Sequence, residues 1–152
     1  MPVTMEQVRK ALDPEEPDYA KAAKLGPEAL PHLSKLIAGR DPGLASKAAS
    51  LAGMIGDEKA AAVLEKAARH KDVRVRVAAA HSAKYLPALA ASRVLTPLVA
   101  DDDVGVQKVA LRSVPRRVTP ELKAGLEAAS KRRAVPELQE LSKKVLARAS
   151  VG

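Results

Sequence analysis

Apolar residues recur along this chain at helical intervals, and the helices they predict alternate in pairs. In DPGLASKAASLAGMI, DVRVRVAAAHSAKYL and DVGVQKVALRSV the small and aliphatic residues fall at i, i+4 and i+8, one face of a helix. Each segment begins with an aspartate, and Asp41, Asp72 and Asp103 are 31 residues apart. In that register Leu44 aligns with Val75 and Val106, Ala48 with Ala79 and Ala110, and Ala52 with Ala83 and Val114. An aspartate just ahead of an apolar face predicts an N-cap, because its carboxylate accepts a bond from an amide without an intrahelical partner.

A second set of helices lies between these: GPEALPHLSKLIA, DEKAAAVLEKAARH, PALAASRVLTPLVA and TPELKAGLEAASK, with Leu33, Leu64, Leu95 and Leu126 again 31 apart. The predicted unit is thus an A helix, a turn, a B helix and another turn. Four full units are predicted at about 27–56, 57–87, 88–118 and 119–150, after a partial unit at 1–26 with helices near 4–12 and 18–25. Thr4 and Gln7 form a predicted capping box, and Thr119-Pro120 an N-cap and N1 pair. One helix pair cannot hide its own apolar face, so neighbouring pairs must cover it. A single all-α domain over 1–152 follows, a solenoid of stacked pairs. In the last helix Glu137 and Glu140 stand where earlier units have Val106 and Val109. Leu138, Leu141 and Val145 then cover the neighbour, as a terminal cap requires.

The pattern resembles HEAT repeats, most closely the HEAT-like repeats first named in phycobilisome lyases. Leu25-Gly26-Pro27-Glu28-Ala29 is similar to their A-helix start, and Asp72, Val75, Arg76, Ala79 and Ala83 to their B helix. The resemblance covers nearly the whole chain. It implies a right-handed α-solenoid of antiparallel helix pairs, HEAT/armadillo-like, with the B helices lining the concave surface that usually takes the ligand. It also implies that Arg76 staples one repeat to an aspartate of the next. The motif is broken at Ala45 and Gln107, where arginine is expected, so that staple is predicted only once. Pro31 and Pro97 fall inside A helices and predict kinks.

Composition narrows the interior and the chemistry. Phe, Trp and Cys are absent and only Tyr19 and Tyr85 are aromatic, so Ala, Leu, Val and Ile must fill the core. Without cysteine there is no disulfide, thiolate nucleophile or Cys-ligated zinc. No signal-type apolar run opens the chain and no segment approaches 18 apolar residues. The expectation is a cytoplasmic protein without membrane contact.

Charge adds direction. The chain carries 26 Lys+Arg against 18 Asp+Glu, a net +8. With the capping aspartates left out, eleven of the basic residues and only two acidic ones lie on or beside the B helices, so the excess gathers there. With Val75, Ala79 and Leu86 as the core face, Val77, His81 and Lys84 point away from it. One repeat later Lys108 and Arg112 point the same way, with Arg116 close by. Ser50, His81, Arg112 and Lys143 form one column, and Met54, Tyr85 and Arg116 a second. The resemblance therefore implies a concave binding ridge of His81, Tyr85, Lys108, Arg112, Arg116 and Lys143. The alternative reading is an ordinary solvated face, since a helix must show something polar to water.

Catalytic signals are missing. His32, His70 and His81 are far apart and form no H-x-x-x-H or H-E-x-x-H pair, so they read as surface imidazoles and no metal site is expected. There is no G-x-S-x-G, Walker loop or G-x-G-x-x-G, and no cofactor is expected. Gly53 and Gly56 read as helix terminators. In Asp101-Asp102-Asp103, Asp103 reads as the cap and the others as favouring the positive helix end. The run Lys131-Arg132-Arg133 reads as cations at a negative helix end. The expected function is a non-enzymatic binding module or scaffold whose basic concave face engages a protein partner through an acidic segment. The alternative is nucleic-acid binding through phosphate contacts on the same face. Tyr85 is the single stacking platform there, which disfavours base excision or single-strand binding. No small-molecule substrate is evident.

Overall fold

The computed structural model describes residues 2–152, so Met1, the first residue of the predicted domain, lies outside the described residues. The described chain forms α1 (Met5–Leu12), α2 (Tyr19–Ala22), α3 (Leu30–Ala38), α4 (Pro42–Ile55), α5 (Ala60–Ala68), α6 (Val73–Ser82), α7 (Ala88–Leu98), α8 (Val104–Ser113), α9 (Pro120–Ser130) and α10 (Pro136–Arg148). Single 3-10 turns follow α2, precede α3 and follow α6. Two short strands, β1 (Arg117–Val118) and β2 (Ser150–Val151), pair in parallel.

The caps form for the reason the aspartates imply. Asp41 accepts from the Leu44 amide at 3.1 Å, Asp72 from Arg74 at 2.9 Å and Asp103 from Val106 at 3.0 Å. Thr4 and Gln7 close a capping box and Thr119 caps α9. Pro31 begins α3 just after a 3-10 turn rather than lying inside it, whereas Pro97 sits within α7.

Each A helix packs on the B helix that follows it. The A helices α3, α5, α7 and α9 touch in sequence to make one layer, and α4, α6, α8 and α10 make the other. Leu33, Leu64, Leu95 and Leu126 are fully buried between the layers, with Val75 and Val106 opposite. Burying one such side chain stabilises the fold by about 1.5–3 kcal/mol. The result is an all-α solenoid. The β1–β2 bridge is an addition that the hydrophobic pattern did not predict. It ties the tail beyond α10 to the segment after α8, with Ser150 donating to the Arg116 carbonyl at 2.7 Å.

Two glycines have distinct tasks. Gly56 has φ of 67° and ends α4 with a left-handed C-cap, as expected. Gly53 is no terminator: it is buried within α4, and a Cβ there would lie 2.4 Å from Ser82 Cβ and 2.9 Å from the Ser82 carbonyl oxygen. Its missing side chain lets α4 and α6 approach closely.

Candidate functional site

Cations on the B layer divide into those the fold uses and those it leaves to solvent. Arg76 belongs to the first group. Its guanidinium meets Asp101 at 2.9 Å and donates to the His70 and Lys71 carbonyls at 2.9 and 3.0 Å. Both side chains of this pair are largely buried, so Arg76 is the repeat-to-repeat staple expected of it. Asp101 also accepts from the Asp103 amide at 2.9 Å, so it braces the turn as well as biasing the helix end. Gln107 replaces the missing arginine of the next unit by donating to the Asp101 carbonyl, and Gln139 donates to the Ser130 carbonyl at 3.1 Å. Lys47 caps the carbonyls of Leu12 and Pro14 at 3.1 and 2.8 Å, and Arg148 that of Val114 at 3.1 Å. These contacts fix cations to chain ends and turns.

The candidate ridge is built differently. Lys108 is half-buried, Arg112 and Arg116 are exposed, and none of the three is in an ion pair among the described residues. His81, Lys84 and Tyr85 form one cluster where α6 ends. The Lys84 ammonium lies 3.2 Å from His81 Nε2 and 5.2 Å from the Tyr85 ring centre, within cation–π range. Partial burial, and then the Lys84 charge, push the His81 pKa below the ordinary imidazole value. His81 is therefore neutral at pH 7 and accepts from Lys84.

Lys108 and Arg112 join a second cluster. With Lys144, Glu137 and Glu140 they rim a groove of about 460 Å³ between α8 and α10. Lys143 does not line it and instead pairs with Glu140 at 3.4 Å. The register of the last helix explains this. Leu64 to Val75 and Leu95 to Val106 are 11 residues, but Leu126 to Leu138, the next buried pair, is 12. One extra residue between Leu126 and Leu138 rotates α10, so Leu138 enters the core where the repeat spacing places Glu137. Lys144 then takes the position assigned to Lys143. The terminal-cap reading keeps Leu138 and Val145 as buried cover, with Leu141 half-buried. Glu137 and Glu140 stay exposed, on the rim of the groove. Arg116 stands apart from both clusters, its backbone held by the β1–β2 bridge.

Two other expectations change in the structure. His32 and His70 are not simple surface imidazoles: His32 Nε2 lies 2.8 Å from the Val3 carbonyl, and His70 Nδ1 accepts from the Asp72 amide at 2.9 Å. No group of three or more His, Asp or Glu side chains that could hold a metal ion occurs among the described residues. No helix in those residues is long and apolar enough to cross a membrane.

Stacked antiparallel helix pairs with capped, stapled turns define a helical-repeat solenoid. A family model of HEAT repeats matches residues 30–115, more than half of the chain, and the protein belongs to the HEAT repeat family. The fold is also similar to a solved chain from the complex of CpcE and CpcF of phycocyanin lyase from Nostoc sp. PCC7120. The TM-score is 0.67 at 18% sequence identity, and the match covers 93% of this chain and 96% of that one. No curated protein matches the sequence.

Proposed function

We propose that this protein is a non-catalytic binding module, a single unit of stacked helix pairs whose B-helix face holds an acidic segment of a protein partner. One observation carries the reading: Lys108, Arg112, Arg116 and Lys144 have no ion-pair partner among the described residues, whereas Lys47, Arg76 and Arg148 are held by turns and staples. Like charges left unpaired on one face raise the local potential and draw anionic partners to it. The B layer is the inner one in this reading, and Gly53 lets α4 and α6 come close together there. A solved relative in fold that exists as a complex of two proteins is consistent with protein binding.

The test uses a fluorescent glutamate-rich peptide and two unrelated DNA duplexes, each titrated against wild type and Arg112→Glu/Arg116→Glu across a salt series. Wild type is expected to bind the peptide, and the double variant to bind it at least about tenfold more weakly. Equal affinity of both proteins for the peptide removes the face as the site. Duplex binding with a steep salt slope, shared by both sequences and stronger than peptide binding, replaces the protein partner with nucleic acid.

A further inference from the structure

The groove between α8 and α10 differs in kind from the rest of the cationic face. Its rim is charged but its floor is apolar, formed by Val104, Leu138 and Leu141. Val104 is 47% exposed, the second most open of the large hydrophobic side chains among the described residues. It opens α8 on the solvent side, where a polar residue would cost nothing. A smaller cavity of about 200 Å³ lies behind, and Val104 and Leu138 line both spaces. The groove's own volume falls within the range of about 300–1,000 Å³ that serves small ligands and anchoring side chains.

Charge is distributed unevenly across the groove. The α8 wall is cationic, with Lys108 and Arg112, and Lys144 adds a third cation from α10. Glu140 is already paired with Lys143, which leaves Glu137 as the one acidic group on the rim outside an ion pair. An occupant that suits this arrangement brings an apolar group for the floor and carboxylates for the α8 side. A partner held by charge alone would leave Val104 in water. Interfaces draw most of their energy from a few bulky side chains seated in pockets, with charged contacts around them.

We propose that this groove seats one bulky apolar side chain of an acidic protein segment, whose neighbouring carboxylates lie on Lys108 and Arg112. The inference rests on the acidic-partner reading above and adds an anchor to it. The cations then steer the segment in and set its direction, while the Val104 pocket holds it.

Three synthetic peptides separate the two ideas: one glutamate-rich with a central Leu, the same with Ala in its place, and one with every Glu replaced by Lys. Binding to wild type, Val104→Ser and Arg112→Glu is followed by fluorescence anisotropy. Val104 is exposed, so its serine variant folds as wild type, which circular dichroism checks. The Leu peptide is expected to bind wild type about tenfold more tightly than the Ala peptide. Val104→Ser should erase that difference while leaving the Ala peptide's affinity unchanged. Arg112→Glu should weaken both acidic peptides, and the Lys peptide should not bind. If Leu and Ala peptides bind equally and both fail with Arg112→Glu, the anchor is wrong and the acidic-partner reading stands. A Leu preference that survives Val104→Ser puts the anchor elsewhere and overturns the assignment. If no acidic peptide binds, both readings fall together.

Discussion

The α4–α6 contact and the α8–α10 contact occupy the same place in the repeat and are built in opposite ways. Between α4 and α6 the facing residues are small: Ala45, Ala48, Ala49, Ala52 and Gly53 on one helix, Ala78, Ala79 and Ser82 on the other, all buried. Small side chains let backbones approach, and α4 and α6 come close at Gly53 and Ser82. Between α8 and α10 the facing residues are long or charged, and a groove of about 460 Å³ remains. One repeat geometry thus yields a tight joint in the middle of the stack and an open one near its end. Nearest-neighbour stacking permits this, because each interface contributes its own share of stability. The tight joint spends its residues on packing; the open one leaves cations and an exposed valine for something else to cover.

The largest contrast should appear when a leucine is shortened in each region. Leu51 is fully buried in α4, and Leu51→Ala is expected to cost about 2–5 kcal/mol through lost burial and the cavity it leaves. Leu141 is half-buried at the groove, and Leu141→Ala should cost about 1 kcal/mol or less. Urea unfolding of both variants measures the difference. Equal losses at the two positions would show that α8 and α10 are packed as tightly as α4 and α6 in solution.

A smaller effect tests the close approach itself. Alanine is preferred to glycine inside a helix by up to about 1 kcal/mol, so Gly53→Ala should stabilise an exposed helix. Here the new methyl meets the Ser82 Cβ and carbonyl, and a net loss of about 1–3 kcal/mol is expected from the forced separation. Ser82→Gly in the same chain should recover part of it. A melting temperature at or above wild type for Gly53→Ala alone would mean that the two helices sit farther apart than the structure has them.

The same two regions show what could be read from residues alone. The fold was legible because its signals repeat: an aspartate cap and a buried leucine recur at intervals of 31 residues. The site was legible only in part. His81, Tyr85, Lys108, Arg112 and Arg116 lie on or beside the B-helix ends and faces as expected, but Lys144 replaces Lys143 at the groove. A single extra residue between two buried positions carries no hydrophobic signature of its own. Its one trace is the interval of 12 from Leu126 to Leu138, which is hidden while Glu137 is held in the repeat register. Gly53 was misread because a glycine two or three residues from a helix end looks the same whether it stops the helix or admits a neighbour. The β1–β2 bridge involves two residues per strand, too few to alternate. The groove was not visible at all, since an absence of packing depends on the sizes of side chains on two helices about 30 residues apart.

The finest contrast is between His81 and Arg112, which hold the same place in successive B helices. Arg112 carries a guanidinium, whereas His81 is a neutral imidazole because partial burial of the ring, and secondarily the Lys84 ammonium, disfavour its cation. The folded pKa is thus below that of the unfolded chain, about 6.5. As pH falls through that value the unfolded chain takes the proton first, so stability is whole above it and declines as pH drops toward the folded pKa. Replacing Lys84 with methionine removes the lesser of the two causes. The His81 pKa, followed through its Cε1 proton by NMR, should rise part of the way toward the ordinary value and no further. A return to the full ordinary value would make Lys84 the main cause and leave the partial burial of the ring without effect. No change at all would mean that the 3.2 Å contact between Lys84 and the ring is not populated in solution.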